Sequence, residues 1–116
     1  MMADMPEHIR EFLGHAAWAQ GGHEICGFIL QDWGILFISN VSDVEGEFEM
    51  HPPELLAAHQ NYGKLLIGVF HSHPSGRVSP SNTDIDYAPQ GLRYWIVTPD
   101  EVVEWDMTHD VPRQVS

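Results

Sequence analysis

Leu65-Leu66-Ile67-Gly68-Val69-Phe70-His71-Ser72-His73-Pro74 is the stretch on which the reading of this chain turns. From Leu65 to Phe70 it is apolar apart from one glycine, the composition of a short strand buried inside a sheet. A strand sends successive side chains to opposite faces, so His71 and His73 leave it pointing the same way. Ser75 to Pro80 then reads as a Gly/Pro/Ser loop, and Ser81 to Ala88 as a short helix with Ser81 near its start and Asp84 in its first turn. Two imidazoles at strand spacing, with a carboxylate returning on the next element, are the donor set of a zinc site that keeps its fourth position open.

Outward from that strand, the rest of the chain alternates helical and extended patterns. Asp4, with Glu7 three residues later, has the pattern of a capping box, and Ile9, Phe12, Leu13, Ala16 and Ala17 form one apolar helical stripe that Gly21-Gly22 stops. Ile25 to Leu30 and Ile35 to Ser39 read as strands joined through Gln31-Asp32-Trp33-Gly34, a hairpin. Asp43 to Met50 is acidic and without period, a loop with room for a short edge strand. Pro52-Pro53 opens a second helix whose Leu55, Ala58 and Tyr62 face the core before Gly63. Leu92 to Thr98 and Val102 to Met107 are strands around a Pro99-Asp100 turn, and the tail from Thr108 is expected to fray. The order predicts an α/β fold, a mixed sheet flanked by helices.

A chain of 116 residues is sized for a single domain, 1–116, with one core. No apolar run reaches bilayer length and no signal-peptide pattern opens the sequence, so the expected location is the cytoplasm. The lone Cys26 cannot form an internal disulfide, in keeping with a reducing compartment. Five basic against 17 acidic side chains leave a net charge of −12, a surface that repels phosphate backbones and excludes nucleic acid as a direct partner. Rossmann and Walker glycine motifs are absent, as is the Pro-Cys-x-x-Cys element of zinc deaminases.

Taken singly, the site residues have plain explanations. A His-x-His pair decorates many strand ends, Ser81 would serve as a helix cap, Asp84 as a first-turn carboxylate favoured by the helix dipole, and Glu24 as a surface charge. Cys26, inside an apolar strand, reads as a small core residue. Together, His71-x-His73, Ser81 and Asp84 resemble the signature of the JAMM (MPN+, Mov34) zinc metalloproteases, and His23-Glu24-Ile25-Cys26-Gly27-Phe28 resembles the family's upstream Glu-x-x-Gly segment. The resemblance runs from about Glu24 to Met107. It implies a three-layer, cytidine-deaminase-like JAMM/MPN fold and one Zn2+ per chain bound by His71, His73 and Asp84. It further implies Glu24 as general base and Ser81 as support for the oxyanion.

Ser79 stands where the eukaryotic deubiquitinating members carry tryptophan, so the chain is similar to the prokaryotic branch. That branch implies hydrolysis of an amide after the C-terminal Gly-Gly of a ubiquitin-like or sulfur-carrier protein, with the carrier tail as the partner. Two alternatives stand beside it: a phage-tail-type JAMM peptidase, and a non-catalytic MPN scaffold or binding module.

Overall fold

The computed structural model describes residues 3–42, 48–108 and 111–115. Helix α1 (Glu7–Gln20) is followed by a hairpin of β1 (Cys26–Leu30) and β2 (Ile35–Ile38). Helix α2 (Pro52–Tyr62) passes through a 3-10 turn at Gly63–Leu65 into β3 (Leu66–Ser72). The short α3 (Asn82–Tyr87), β4 (Arg93–Val97), β5 (Val102–Asp106) and β6 (Arg113–Gln114) complete the chain. Among the described residues, six strands form one mixed sheet in the order β2-β1-β3-β4-β5-β6, in which β3 and β4 run parallel and the other neighbouring pairs antiparallel.

Two apolar clusters lie on opposite faces of this sheet. Leu13 and Ala17 of α1 pack with Ile29, Phe70, Trp95 and Val97, while Ala58 of α2 packs with Phe28, Val69, Tyr94 and Ile96. The result is the expected α/β arrangement of three layers, helix, sheet and helix. Strand alternation slips once: Leu30 pairs with Leu66 but Ile29 pairs with Gly68, leaving Ile67 as a bulge in β3. Beyond the bulge, Phe70 and Ser72 belong to the α1 face, and Val69, His71 and His73 to the α2 face. Gly68 is required by close approach, because a Cβ there would lie 2.3 Å from the Trp95 ring.

Several expectations are corrected. Asp4 does not cap α1: the helix starts at Glu7 behind Pro6, whose carbonyl accepts from Ile9 and Arg10, so Asp4 stands too early to reach the first free N–H groups. Tyr62 and Leu65 are substantially exposed, since the chain leaves α2 through the 3-10 turn before it enters the sheet. The tail is not simply frayed; Arg113–Gln114 pairs with the open edge of β5. Of the acidic loop, Met50 forms an isolated bridge with Asn40, whereas 43–47 lie outside the described residues, as do 109, 110 and 116 of the tail. Among the described residues, no helix is long and apolar enough to cross a membrane.

Candidate metal centre

The centre forms where β3 ends, on the α2 face. His71 and Ser72 close the strand, and His73 follows, its N–H donating to the Val97 carbonyl. The antiparallel register Cys26↔His71 brings the residues just before β1 alongside, and Glu24 with them. Asp84 arrives from α3, whose start is set by a full capping box: the Asp84 N–H donates to Ser81 Oγ at 3.1 Å, and the Ser81 N–H donates to Asp84 Oδ2 at 2.8 Å. All four side chains, Glu24, His71, His73 and Asp84, are buried.

Their reactive atoms converge. The Nε2 atoms of His71 and His73 lie 2.9 Å apart. Asp84 stands against both, Oδ1 at 3.3 Å from His71 and Oδ2 at 3.1 Å from His73. Glu24 Oε1 is farther, 3.9 Å from His71. Glu24, His71 and His73 each bring one ligand atom to within 4.8 Å of the others, a group that can hold a metal ion. By distance, however, Asp84 is the closer carboxylate to the imidazole pair, with Glu24 next out.

The outer faces of the imidazoles support metal binding. His73 Nδ1 lies 2.8 Å from the Arg77 carbonyl, which can only accept, so the proton sits on Nδ1 and Nε2 offers its lone pair. His71 Nδ1 meets the Tyr94 hydroxyl at 3.2 Å, a group able to accept from the same tautomer. Phe48 stacks on the His71 ring with 4.4 Å between centroids and 21° between planes. Two inward lone pairs, a flanking carboxylate and engaged outer nitrogens fit a divalent metal such as zinc.

Electrostatics follow from burial and these contacts. Burial lowers the His71 pKa, outweighing the Asp84 carboxylate that favours its charged form. For His73 burial also opposes charge, but the Asp84 contact and the Arg77 carbonyl prevail and raise its pKa. Burial would raise the Asp84 pKa, yet its contacts with His71 and His73 in their Nε2-protonated forms hold the carboxyl well below the usual carboxylate range. Cys26 takes no part: burial, then the Glu24 carboxylate, push its thiol up to about 12. As read from the sequence, it is a core residue.

Two cavities meet this centre. One of about 680 Å³ is lined by Ser81 and Asp84 together with Phe28, Phe48, Leu55 and Tyr94. A second, about 590 Å³ and more polar, is lined by Glu24, Ser39, Asn40, Ser42 and Glu54. A larger cavity of about 930 Å³ between α1 and the β4–β5 turn contains none of the site residues.

The structure thus brings Glu24, His71, His73 and Asp84 together, with Ser81 one turn of helix away at the cap of Asp84. Sequence reasoning missed Tyr94, Phe48, Asn40 and Ser72. A polar Ser72 at a position whose strand neighbours are core was the one available signal; nothing local marks the other three.

The chain resembles known structures over nearly its whole length. The solution structure of protein DSY2949 from Desulfitobacterium hafniense aligns with a TM-score of 0.73 and 25% identity over 97% of this chain and 88% of that one. The solution structure of a protein from Salinibacter ruber aligns with a TM-score of 0.56 and 21% identity, covering 99% and 89% respectively, and so shares the fold. No curated protein matches the chain. The family model describing prokaryotic homologs of the JAB domain matches residues 5–108, and the chain belongs to that family.

Proposed function

We propose that this protein is a zinc-dependent metallopeptidase of the JAMM type, an isopeptidase that cuts the amide after the C-terminal Gly-Gly of a ubiquitin-like or sulfur-carrier protein. The observation that carries this reading is the convergence of two buried Nε2 atoms, 2.9 Å apart, with one carboxylate against both and a second just beyond. His71, His73 and Asp84 are the ligands, because Asp84 lies nearer the imidazole pair than Glu24 does. Zinc held there supplies Lewis acidity and lowers the pKa of water to about 7.

Glu24, set back at 3.9 Å from His71, is placed to take a proton from the attacking water and return it to the leaving amine. Ser81 Oγ already accepts the Asp84 N–H, so its own O–H remains to donate to the developing oxyanion. One such donor is typically worth about 3–4 kcal/mol in the transition state. Ser81 lines the apolar cavity and Glu24 the polar one, which directs the acyl segment to the former and the leaving amine to the latter. A Gly-Gly tail suits this passage, since backbone without Cβ atoms can approach a buried centre closely.

The test pairs metal content with turnover. Elemental analysis of protein purified without chelator should give about one zinc per chain, and Asp84→Ala far less. Glu24→Gln should keep the zinc and lose cleavage of Gly-Gly amides. A wild-type chain that takes up no zinc even when it is supplied overturns the reading in favour of a scaffold.

A further inference from the structure

The peptide group joining Glu24 to Ile25 lies just before β1, outside its regular ladder. Side chains hold it at both ends. The Ile25 N–H donates to Ser72 Oγ at 2.8 Å, in a buried contact, and Asn40 Nδ2 donates to the Glu24 carbonyl at 3.1 Å. The geometry points to Ser72 and Asn40 as positioning residues, a clamp on this one peptide that aims the Glu24 side chain at the metal centre. The inference rests on Glu24 acting as the base of the proposed hydrolysis.

Ser72 sits between the two histidines in sequence but on the opposite face of the sheet, beside Phe70 and Val97. Stability alone would favour an apolar side chain at such a position. A hydroxyl there satisfies the buried Ile25 N–H, while the Ser72 N–H donates to the Ile25 carbonyl at 2.9 Å. The strand that carries His71 and His73 therefore also grips the residue next to Glu24. Base and ligands are held in one frame.

Asn40 also ties the centre to the neighbourhood of Phe48. Its Oδ1 accepts from the N–H groups of Ser42 and Glu49, both at 3.0 Å. Glu49 is next to Phe48, which stacks on His71. One side chain thus connects the backbone of Glu24 to the neighbour of Phe48, the ring that walls the His71 imidazole.

Three variants and two readouts test the clamp: Ser72→Ala removes the acceptor, Ser72→Thr keeps it, and Asn40→Ala removes the donor. Zinc content should stay at the wild-type level in all three. On a Gly-Gly amide substrate, kcat should fall roughly 10- to 100-fold in Ser72→Ala and Asn40→Ala, with KM within about twofold, as expected when a catalytic group is slightly misplaced. Ser72→Thr should recover most of the loss. Independently of turnover, amide exchange followed by NMR should be at least about tenfold faster at Ile25 in Ser72→Ala, with β4 amides still protected. An Ile25 amide unprotected in the wild type, or kcat unchanged in Ser72→Ala, overturns the clamp. A wild type that holds zinc and protects Ile25 yet cleaves no Gly-Gly amide instead sinks the hydrolase reading, and with it the aiming role, while the exchange data show the hydrogen bond itself to be sound.

Discussion

His71 and His73 face each other through their Nε2 atoms at 2.9 Å, and each turns its Nδ1 away to an oxygen: Tyr94 Oη for His71, the Arg77 carbonyl for His73. When both rings carry their proton on Nδ1, two lone pairs point into the same small volume, an arrangement that a cation relieves. The outer partners thereby decide how well the inner nitrogens bind.

Tyr94→Phe removes the oxygen facing His71 Nδ1 and keeps the ring in the core. Zinc affinity is expected to fall about 10- to 100-fold, the usual loss for an outer-shell partner, with little change in fold. Competition against a chelator of known affinity measures this; an unchanged affinity means that the Tyr94 hydroxyl does not orient His71.

Gly68→Ala places a Cβ 2.3 Å from Trp95 Cζ3 and 2.9 Å from the Arg93 carbonyl. Neither the packed indole nor the parallel β4 backbone can yield freely, so a loss of about 1–3 kcal/mol is expected in urea unfolding. A variant as stable as the wild type would show that β3 and β4 stand farther apart than described.

Glu104 and Arg93 form a bidentate pair, Nε to Oε2 at 2.9 Å and Nη2 to Oε1 at 2.7 Å, and the guanidinium also lies over the Trp95 ring at 4.7 Å. Both side chains are nearly buried. Glu104→Ala leaves that guanidinium without its carboxylate and should cost about 3–5 kcal/mol. Replacing the pair together by apolar residues should cost much less, a contrast that a double-mutant cycle reads directly.

Cys26 has its pKa raised from 9.0 to about 12 in the folded chain, with burial the main cause. The unfolded thiol therefore releases its proton first as pH rises. The stabilisation from a neutral Cys26 is complete below pH 9 and is lost between 9 and about 12. Unfolding followed across that range should show a steeper fall in stability for the wild type than for Cys26→Ser. A thiol reagent at pH 8 should leave the folded protein unlabelled; rapid labelling would contradict the burial of this residue.

Much of the architecture was legible in local pattern. Proline at the start of α2, glycine after α1, and the apolar runs of β1, β3 and β4 each express a backbone preference or a burial requirement that is written residue by residue. His71 and His73 share a face because strand periodicity is a property of the chain itself, and Ser81 with Asp84 closes a capping box because the spacing of three is local. Where local reading failed, a neighbour had intervened: Pro6 displaced the expected cap at Asp4, and the open edge of β5 gave the tail a partner.

The sequence by itself determined which side chains could bind a metal and which elements would carry them. Tertiary structure decided what surrounds them. Glu24 reaches His71 only through the pairing of β1 with β3, 47 positions apart at the Ile25–Ser72 contact. The bulge at Ile67 sets which face of the sheet receives the imidazoles, and the parallel neighbour β4 supplies Tyr94. Phe48 and Asn40 enter from a loop with no periodicity to read. These contacts depend on strand order and register, which arise from packing two apolar faces at once, and no local window of sequence contains that information.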